Sequence, residues 1–222
     1  MRVAITVLML LLLVTGCTNA VSGTAQRDPT PIPAVLSKDG SGIRIGSTEA
    51  PIQLEFYTEP QCGHCANVQA DFGDKLAFYV ATGQLAITYR PMVLLDKGGG
   101  THSRRVADAM FAAVTGDGAT TTGPAFQRFV MKLFTTWDGG PNAPTVEEIA
   151  QMARSSGIPE EQVARIASAQ SGVDPADATD LNFEFLYMLD PLDTAMPYVY
   201  DLEKDRKLDV YDDNWLSKVM ES

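Results

Sequence analysis

Cysteine is scarce in this chain of 222 residues: there are three, Cys17, Cys62 and Cys65. So few exclude a small scaffold held together by several disulfides. They also exclude a four-cysteine zinc site, and the two histidines, His64 and His102, supply no second ligand pair. No metal is therefore expected. Two histidines also give no defensible Ser-His-Asp arrangement, and no phosphate-binding loop is present, so no cofactor is expected. Cations are few as well: 17 Lys plus Arg stand against 28 Asp plus Glu, a net charge of −11. Phosphate binding needs clustered cations, which argues against nucleic acid as a partner. No internal repeat is found. What the chain does have is a composition 45% hydrophobic and 20% charged, enough for a real core.

The N-terminus stands apart. Arg2 is followed by Val3–Val14, apolar except for Thr6. That run is too short to span a membrane and fits the apolar region of a secretion signal. It leads into Val14-Thr15-Gly16-Cys17, which resembles the bacterial lipoprotein signal. The resemblance implies cleavage after residue 16, lipid attachment at Cys17 and an extracytoplasmic protein anchored to a membrane of the bacterial envelope. An ordinary signal peptide with an incidental Cys17 is the alternative. Cleavage removes Arg2 and leaves a net charge of −12. Residues 17–42, rich in Ser, Thr, Ala, Pro and Gly, read as a flexible lipidated tether.

Ordered structure is expected from about Ile43. Ile52–Tyr57 alternates like a strand, and Val68, Phe72 and Leu76 predict a helix headed by Cys62 and running to about Gly83. Leu85–Tyr89 reads as a second strand, ended by Pro91. Helical patterns then fill about Asp96–Leu192. Val106, Met110, Phe111 and Val114 form one stripe, and Phe126–Phe134 another with the texture of a core face. Thr145 with Glu148 reads as a capping box, Pro159 as a helix start, and Asp174-Pro175 as another, with Leu181, Phe185, Met188 and Leu189 inward. Strands return at Tyr198–Tyr200 and Leu208–Tyr211 around a polar turn, Glu203–Lys207. A last helix is capped by Asp212 or Asp213.

The chemistry-bearing feature is Cys62-Gly63-His64-Cys65. Two thiols three residues apart at a helix start can close a disulfide with each other. A loop so short gains little entropic stabilisation, so the pair reads as chemical rather than structural. Unpaired N–H groups and the helix dipole favour an anion there, so Cys62 is expected to have a lowered pKa and to be the attacking thiolate. Protonated His64 adds positive charge, Gly63 leaves the sulfur open, and Cys65, one turn in, is expected to be buried and to resolve the mixed disulfide. His64 can instead be a plain helix-surface residue, and His102 reads as a residue that caps or decorates the helix at Ser103.

With the strand before it, a late proline and the secretion signal, this motif resembles the thioredoxin superfamily, in its DsbA-like branch of secreted thiol-disulfide oxidoreductases. The matching stretches are Gly46–Tyr57, Cys62–Cys65 with its helix, Ile87–Pro91 and Met196–Tyr200. The Gly-His pair also occurs in protein disulfide isomerase and does not choose a branch. The resemblance implies an α/β thioredoxin-like fold (β-α-β … β-β-α) over 43–96 and 193–222, with an inserted all-helical domain at 97–192. It implies that Pro197 is a cis-proline facing the sulfurs, with Pro191 as rival, and that the Met196 backbone pairs with an extended substrate. Glu55 is the candidate for a buried carboxylate that relays protons to Cys65, but it lies one residue further from Cys62 than in the common pattern; Glu59 is the alternative. The implied activity is oxidation of reduced or unfolded secreted proteins, with a quinone-linked membrane enzyme restoring the disulfide. A reductase or isomerase with the same dithiol, and a lipid-anchored peptide-binding module without redox turnover, are the alternatives.

Overall fold

The structure, a computed structural model, describes residues 32–137, 139 and 142–221. The signal segment 1–16 and the lipid-attachment site Cys17 lie outside the described residues. Among the described residues six strands follow in chain order: β1 (Val35–Leu36), β2 (Ile43–Ile45), β3 (Ile52–Thr58), β4 (Leu85–Pro91), β5 (Tyr198–Asp201) and β6 (Arg206–Lys207). They form one sheet in the order β1-β2-β4-β3-β5-β6, with β3 and β4 parallel and the other neighbours antiparallel. The described helices are α1 (Gly63–Ala81), α2 (His102–Ala112), α3 (Gly123–Thr135), α4 (Val146–Ser156), α5 (Glu160–Ala167), α6 (Pro175–Leu189) and α7 (Trp215–Met220).

Helix α1 links the parallel pair β3 and β4, because parallel neighbours need a long crossover. Its buried residues Val68, Phe72, Leu76 and Val80 recur every four positions and turn one stripe to the sheet. Strand alternation divides β3. Phe56 faces α1, α3 and α7, packing on Tyr89 at 5.5 Å and Trp215 at 6.1 Å between ring centroids. Tyr57 points to the other face, where it joins Leu186 and Tyr198 in a smaller cluster beneath α6. Each such fully buried side chain contributes roughly 1.5–3 kcal/mol of transfer free energy.

Helices α2–α6 are inserted between β4 and β5, as expected. They do not build a core of their own. Phe126, Phe129, Ile149 and Val163 belong to the same buried cluster as Ile87 and Leu76. The seam between α1 and α3 also carries a closed polar ring. Gln69 donates to the Tyr89 hydroxyl at 3.3 Å, Tyr89 donates to Gln127 at 2.5 Å, and Gln127 donates back to Gln69 at 2.9 Å. Every member has a partner, so burial costs little and the register of α1 on α3 is specified. The capping box at Thr145 and Glu148 is present, and Asp174 caps α6.

Several expectations are corrected. The tether expected over 17–42 has already ended by Ile32: Gly123 N–H donates to the Ile32 carbonyl, Ala34 N–H to Thr121, and β1 pairs with β2. The polar stretch Ser37–Gly42 is the turn of that hairpin, with Asp39 accepting from Ser41, so its Ser, Asp and Gly content reflects turn chemistry rather than a linker. On α6 the buried positions include Ala178, Thr179, Asn182 and Leu186, while Leu181 and Met188 are exposed. Asn182 faces inward because its amide bridges Ser41, Pro91 and Arg90. The last strand is Arg206–Lys207, not Leu208–Tyr211. Asp201 accepts from Glu203 and Lys204 and tightens the turn, so pairing starts sooner. Asn214, rather than Asp212 or Asp213, occupies the N-cap of α7.

Candidate active site

At the end of β3 the chain turns through Glu59-Pro60-Gln61 and delivers Cys62 to the N-cap of α1, in an extended conformation. No side chain caps this helix start. Its N–H groups are therefore free to meet the Cys62 sulfur. The Cys62 pKa falls from its ordinary 9.0 to about 6. The largest cause is a hydrogen bond from the Cys65 thiol; backbone N–H groups of Cys65 and His64 and the charge of His64 add to it, against partial burial. Cys65 is 1% exposed, and burial pushes its thiol far up, helped by the Cys62 thiolate beside it. Both cysteines are free. One helical turn thus holds an accessible acidic thiol and a buried, reluctant one.

The second wall is the loop before β5. The Met196–Pro197 bond is cis, and Pro197 leads straight into the strand. The Met196 carbonyl accepts from the Cys62 thiol at 3.4 Å. Pro191, the rival, sits exposed in the turn after α6. Gly63 and His64 are exposed, and a Cβ on Gly63 would meet nothing within 4 Å, so no packing demand requires glycine there. His64 lies edge-on to exposed Tyr211 at 5.2 Å. Tyr211 rims a groove of about 260 Å³ that runs along Pro197, Leu208 and Val210.

Glu55 is not brought to the sulfurs. Alternation along β3 turns it to the α6 face, where it pairs with Arg90 at 2.6 Å and accepts from Tyr57. Arg90 also pairs with Asp39 and lies over the Phe185 ring, so Glu55 belongs to a buried structural ion cluster. The carboxylate near the thiols is Glu59, 1% exposed. Ser103 and the Gln61 N–H donate to it, and burial raises its pKa. Ser103 and Asp96 carried no sequence signal beyond their place at a helix start. His102, read from the sequence as a cap or surface residue, is the buried first residue of α2 and packs on Trp137 at 4.2 Å.

A profile of the family described as thioredoxin matches residues 38–176, well over half of the chain. The chain belongs to the thioredoxin family. Solved structures share the fold of this thioredoxin-family chain across most of its length. MdbA, a thiol-disulfide oxidoreductase from Corynebacterium matruchotii, is similar with 19% identity and a TM-score of 0.69 over 86% of this chain and 93% of its own. Reduced DsbA from Mycobacterium tuberculosis has 19% identity and a TM-score of 0.60 over 82% and 92%. Oxidised BdbD from Bacillus subtilis has 15% identity and a TM-score of 0.55 over 86% and 97%. No curated protein matches by sequence. The thioredoxin-like fold with a helical insertion and the DsbA-like resemblance read from the sequence are thus shown.

Proposed function

We propose that this thioredoxin-family chain is a thiol-disulfide oxidoreductase that passes a Cys62–Cys65 disulfide to secreted or envelope proteins. The observation that carries the reading is the asymmetry of the two thiols, one acidic and reachable, the other buried and basic. A client thiolate attacks Cys62 Sγ. The Cys62–Cys65 bond breaks, a bond from client to Cys62 forms, and Cys65 leaves with the electron pair and takes up a proton. A second client thiolate then attacks the client sulfur of the mixed disulfide. Cys62 departs as a thiolate, which its surroundings already favour. The client has lost two electrons, and the pair has gained them. Reoxidation returns them to an electron acceptor, for which a quinone-linked membrane enzyme is the proposed route.

The lowered pKa of Cys62 favours the oxidising direction, because stabilising the thiolate stabilises the reduced pair. A fall from 9.0 to about 6 is worth at most about 1.4 kcal/mol at neutral pH, or about 30 mV, and less once solvent screens the half-exposed sulfur. That modest gain keeps the reductase or isomerase reading as the second one. A reduction potential well below the glutathione poise would select it. Val14-Thr15-Gly16-Cys17 supports placing the protein outside the cytoplasm, lipid-anchored through Cys17. Cys62→Ser is expected to abolish oxidation of a reduced, denatured client, and full activity in that variant would end the proposal.

A further inference from the structure

The wall opposite Cys62 is an irregular loop, residues 190–196, shaped by two aspartates. Asp190 accepts the Leu192 and Asp193 N–H groups at 3.1 Å, and Asp193 Oδ1 accepts the Ala195 N–H at 3.2 Å. The next residue, Met196, accepts from the Cys62 thiol at 3.4 Å. The other oxygen of Asp193, Oδ2, pairs with Lys207 Nζ on β6. The same ammonium lies 4.8 Å from the centroid of the Tyr198 ring, and Tyr198 is buried at the start of β5. Lys207 therefore grips the chain on both sides of Met196 and Pro197, at Asp193 before them and at Tyr198 after them. Lysines on edge strands commonly serve to keep the edge solvated. This one is turned back over β5, and with Pro197 it lines the groove of about 260 Å³.

We propose that Lys207 and Asp193 are positioning residues, an ion-pair latch that fixes the Met196 backbone against Cys62 for a client peptide. The proposal rests on the oxidoreductase reading and adds to it the pair that holds the second wall of the site. Contacts run from the ammonium to the Asp193 carboxylate, from there to the Ala195 N–H, and through the adjoining Met196 carbonyl to the Cys62 sulfur. A client whose thiol attacks Cys62 lays its flanking backbone along this loop. A loop already in place leaves less to be ordered when the client binds. The latch is open to water, with the two side chains 37% and 45% exposed, so salt weakens it. Client binding thereby depends on ionic strength even when the client carries no net charge.

The test follows oxidation of a reduced two-cysteine peptide of zero net charge, with saturating oxidised glutathione as the electron acceptor. Lys207→Met keeps the apolar stem over Tyr198 and removes the charge. Its KM for the peptide is expected to rise about 2- to 5-fold with kcat retained. Asp193→Asn should do the same, and the double variant should be no worse than either, because each removes the same interaction. Lys207→Arg keeps the charge and should retain the wild-type KM. An unchanged KM in Lys207→Met, an equal rise in Lys207→Arg, or single effects that add in the double variant overturns the proposal. So does a fall in kcat at constant KM, which is what mere loss of folded protein would give. If Lys207→Met does not fold, salt decides in the wild-type protein. Its KM for the neutral peptide should rise between about 50 and 500 mM NaCl, and a flat response overturns the proposal. Failure of the wild-type protein to oxidise the peptide at any salt would instead strike the oxidoreductase reading, which separates the two failures.

Discussion

The reduced protein should gain stability as pH rises, through one sulfur. Between a folded pKa of about 6 and its ordinary value of 9.0, Cys62 binds fewer protons in the folded chain than in the unfolded one. Stability therefore increases with pH across that window and is lost as pH falls through the lower value. The ideal gain by neutral pH is about 1.4 kcal/mol, and screening at the half-exposed sulfur reduces it to about 0.7–1.4 kcal/mol. Cys65 adds little up to about pH 8: burial keeps it protonated in the folded state, and its ordinary value of 9.0 keeps it largely protonated in the unfolded chain; above that it works against the gain. The assay is urea unfolding of the reduced protein at about pH 5, 7 and 8, set against reduced Cys62→Ser, which has the same fold and lacks the titrating group. The wild-type advantage should be near zero at the lowest pH and grow above about pH 6. Thiolate absorbance must show its midpoint in the same range. A midpoint at about 8.5 or higher, or identical pH curves for the two proteins, refutes the reasoning.

Other perturbations have separate readouts. Cys65→Ala removes the resolving thiol, so with a client that carries a disulfide the Cys62 thiolate should attack it, release one client sulfur as a thiolate and remain trapped as a mixed disulfide that accumulates as a non-reducing gel band; its absence argues against Cys62 as the attacking sulfur. Arg90→Met leaves Glu55 and Asp39 without their buried cation and should cost about 3–5 kcal/mol in urea unfolding; a loss below about 1 kcal/mol would show the cluster is not stabilising. Gly46→Ala should destabilise strongly: φ is +93° and the new Cβ would strike the Leu85 carbonyl. An unchanged unfolding midpoint would contradict that geometry. Tyr89→Phe opens the Gln69–Tyr89–Gln127 ring and should cost about 1–3 kcal/mol; a neutral result would mean that the two glutamines satisfy each other.

The elements that local pattern dictates were legible in the sequence. Helix α1 follows from Val68, Phe72 and Leu76 at four-residue spacing, the α4 start from Thr145 and Glu148, and the α6 start from Asp174-Pro175. What pattern could not supply was decided by partners distant along the chain. Asn182 reads as a surface residue until Ser41, Pro91 and Arg90 surround it, and its inward turn exposes Leu181 and Met188. Gln69 and Gln127 are likewise polar residues at positions a hydrophobic stripe would not claim. The short strands Val35–Leu36 and Arg206–Lys207 have too few residues for alternation to register, and turn geometry places them. At the site, the two cysteines and Pro197 were identified from spacing and resemblance, and Ser103 was not, because its meaning depends on contact with Glu59 across 44 positions.

The two candidate carboxylates show how such a site is built. A side chain on β3 can approach α1 only from the face occupied by Leu54, Phe56 and Thr58, and Phe56 fills its place with a ring packed on Tyr89 and Trp215. Glu55, one position away, necessarily points to the opposite face, and Arg90 claims it there. A carboxylate near Cys62 must therefore come from beyond the strand, where the turn at Glu59 releases the chain from alternation. Leaving the sheet also means leaving its hydrogen bonds, so Glu59 needs donors from elsewhere, and Ser103 at the start of α2 is one. The helical insertion is thereby tied to the chemistry. Ser103→Ala removes one donor to the Glu59 carboxylate and should raise the Glu59 midpoint further, as followed by carboxyl NMR. An unchanged midpoint would mean that the hydroxyl does not hold the anion.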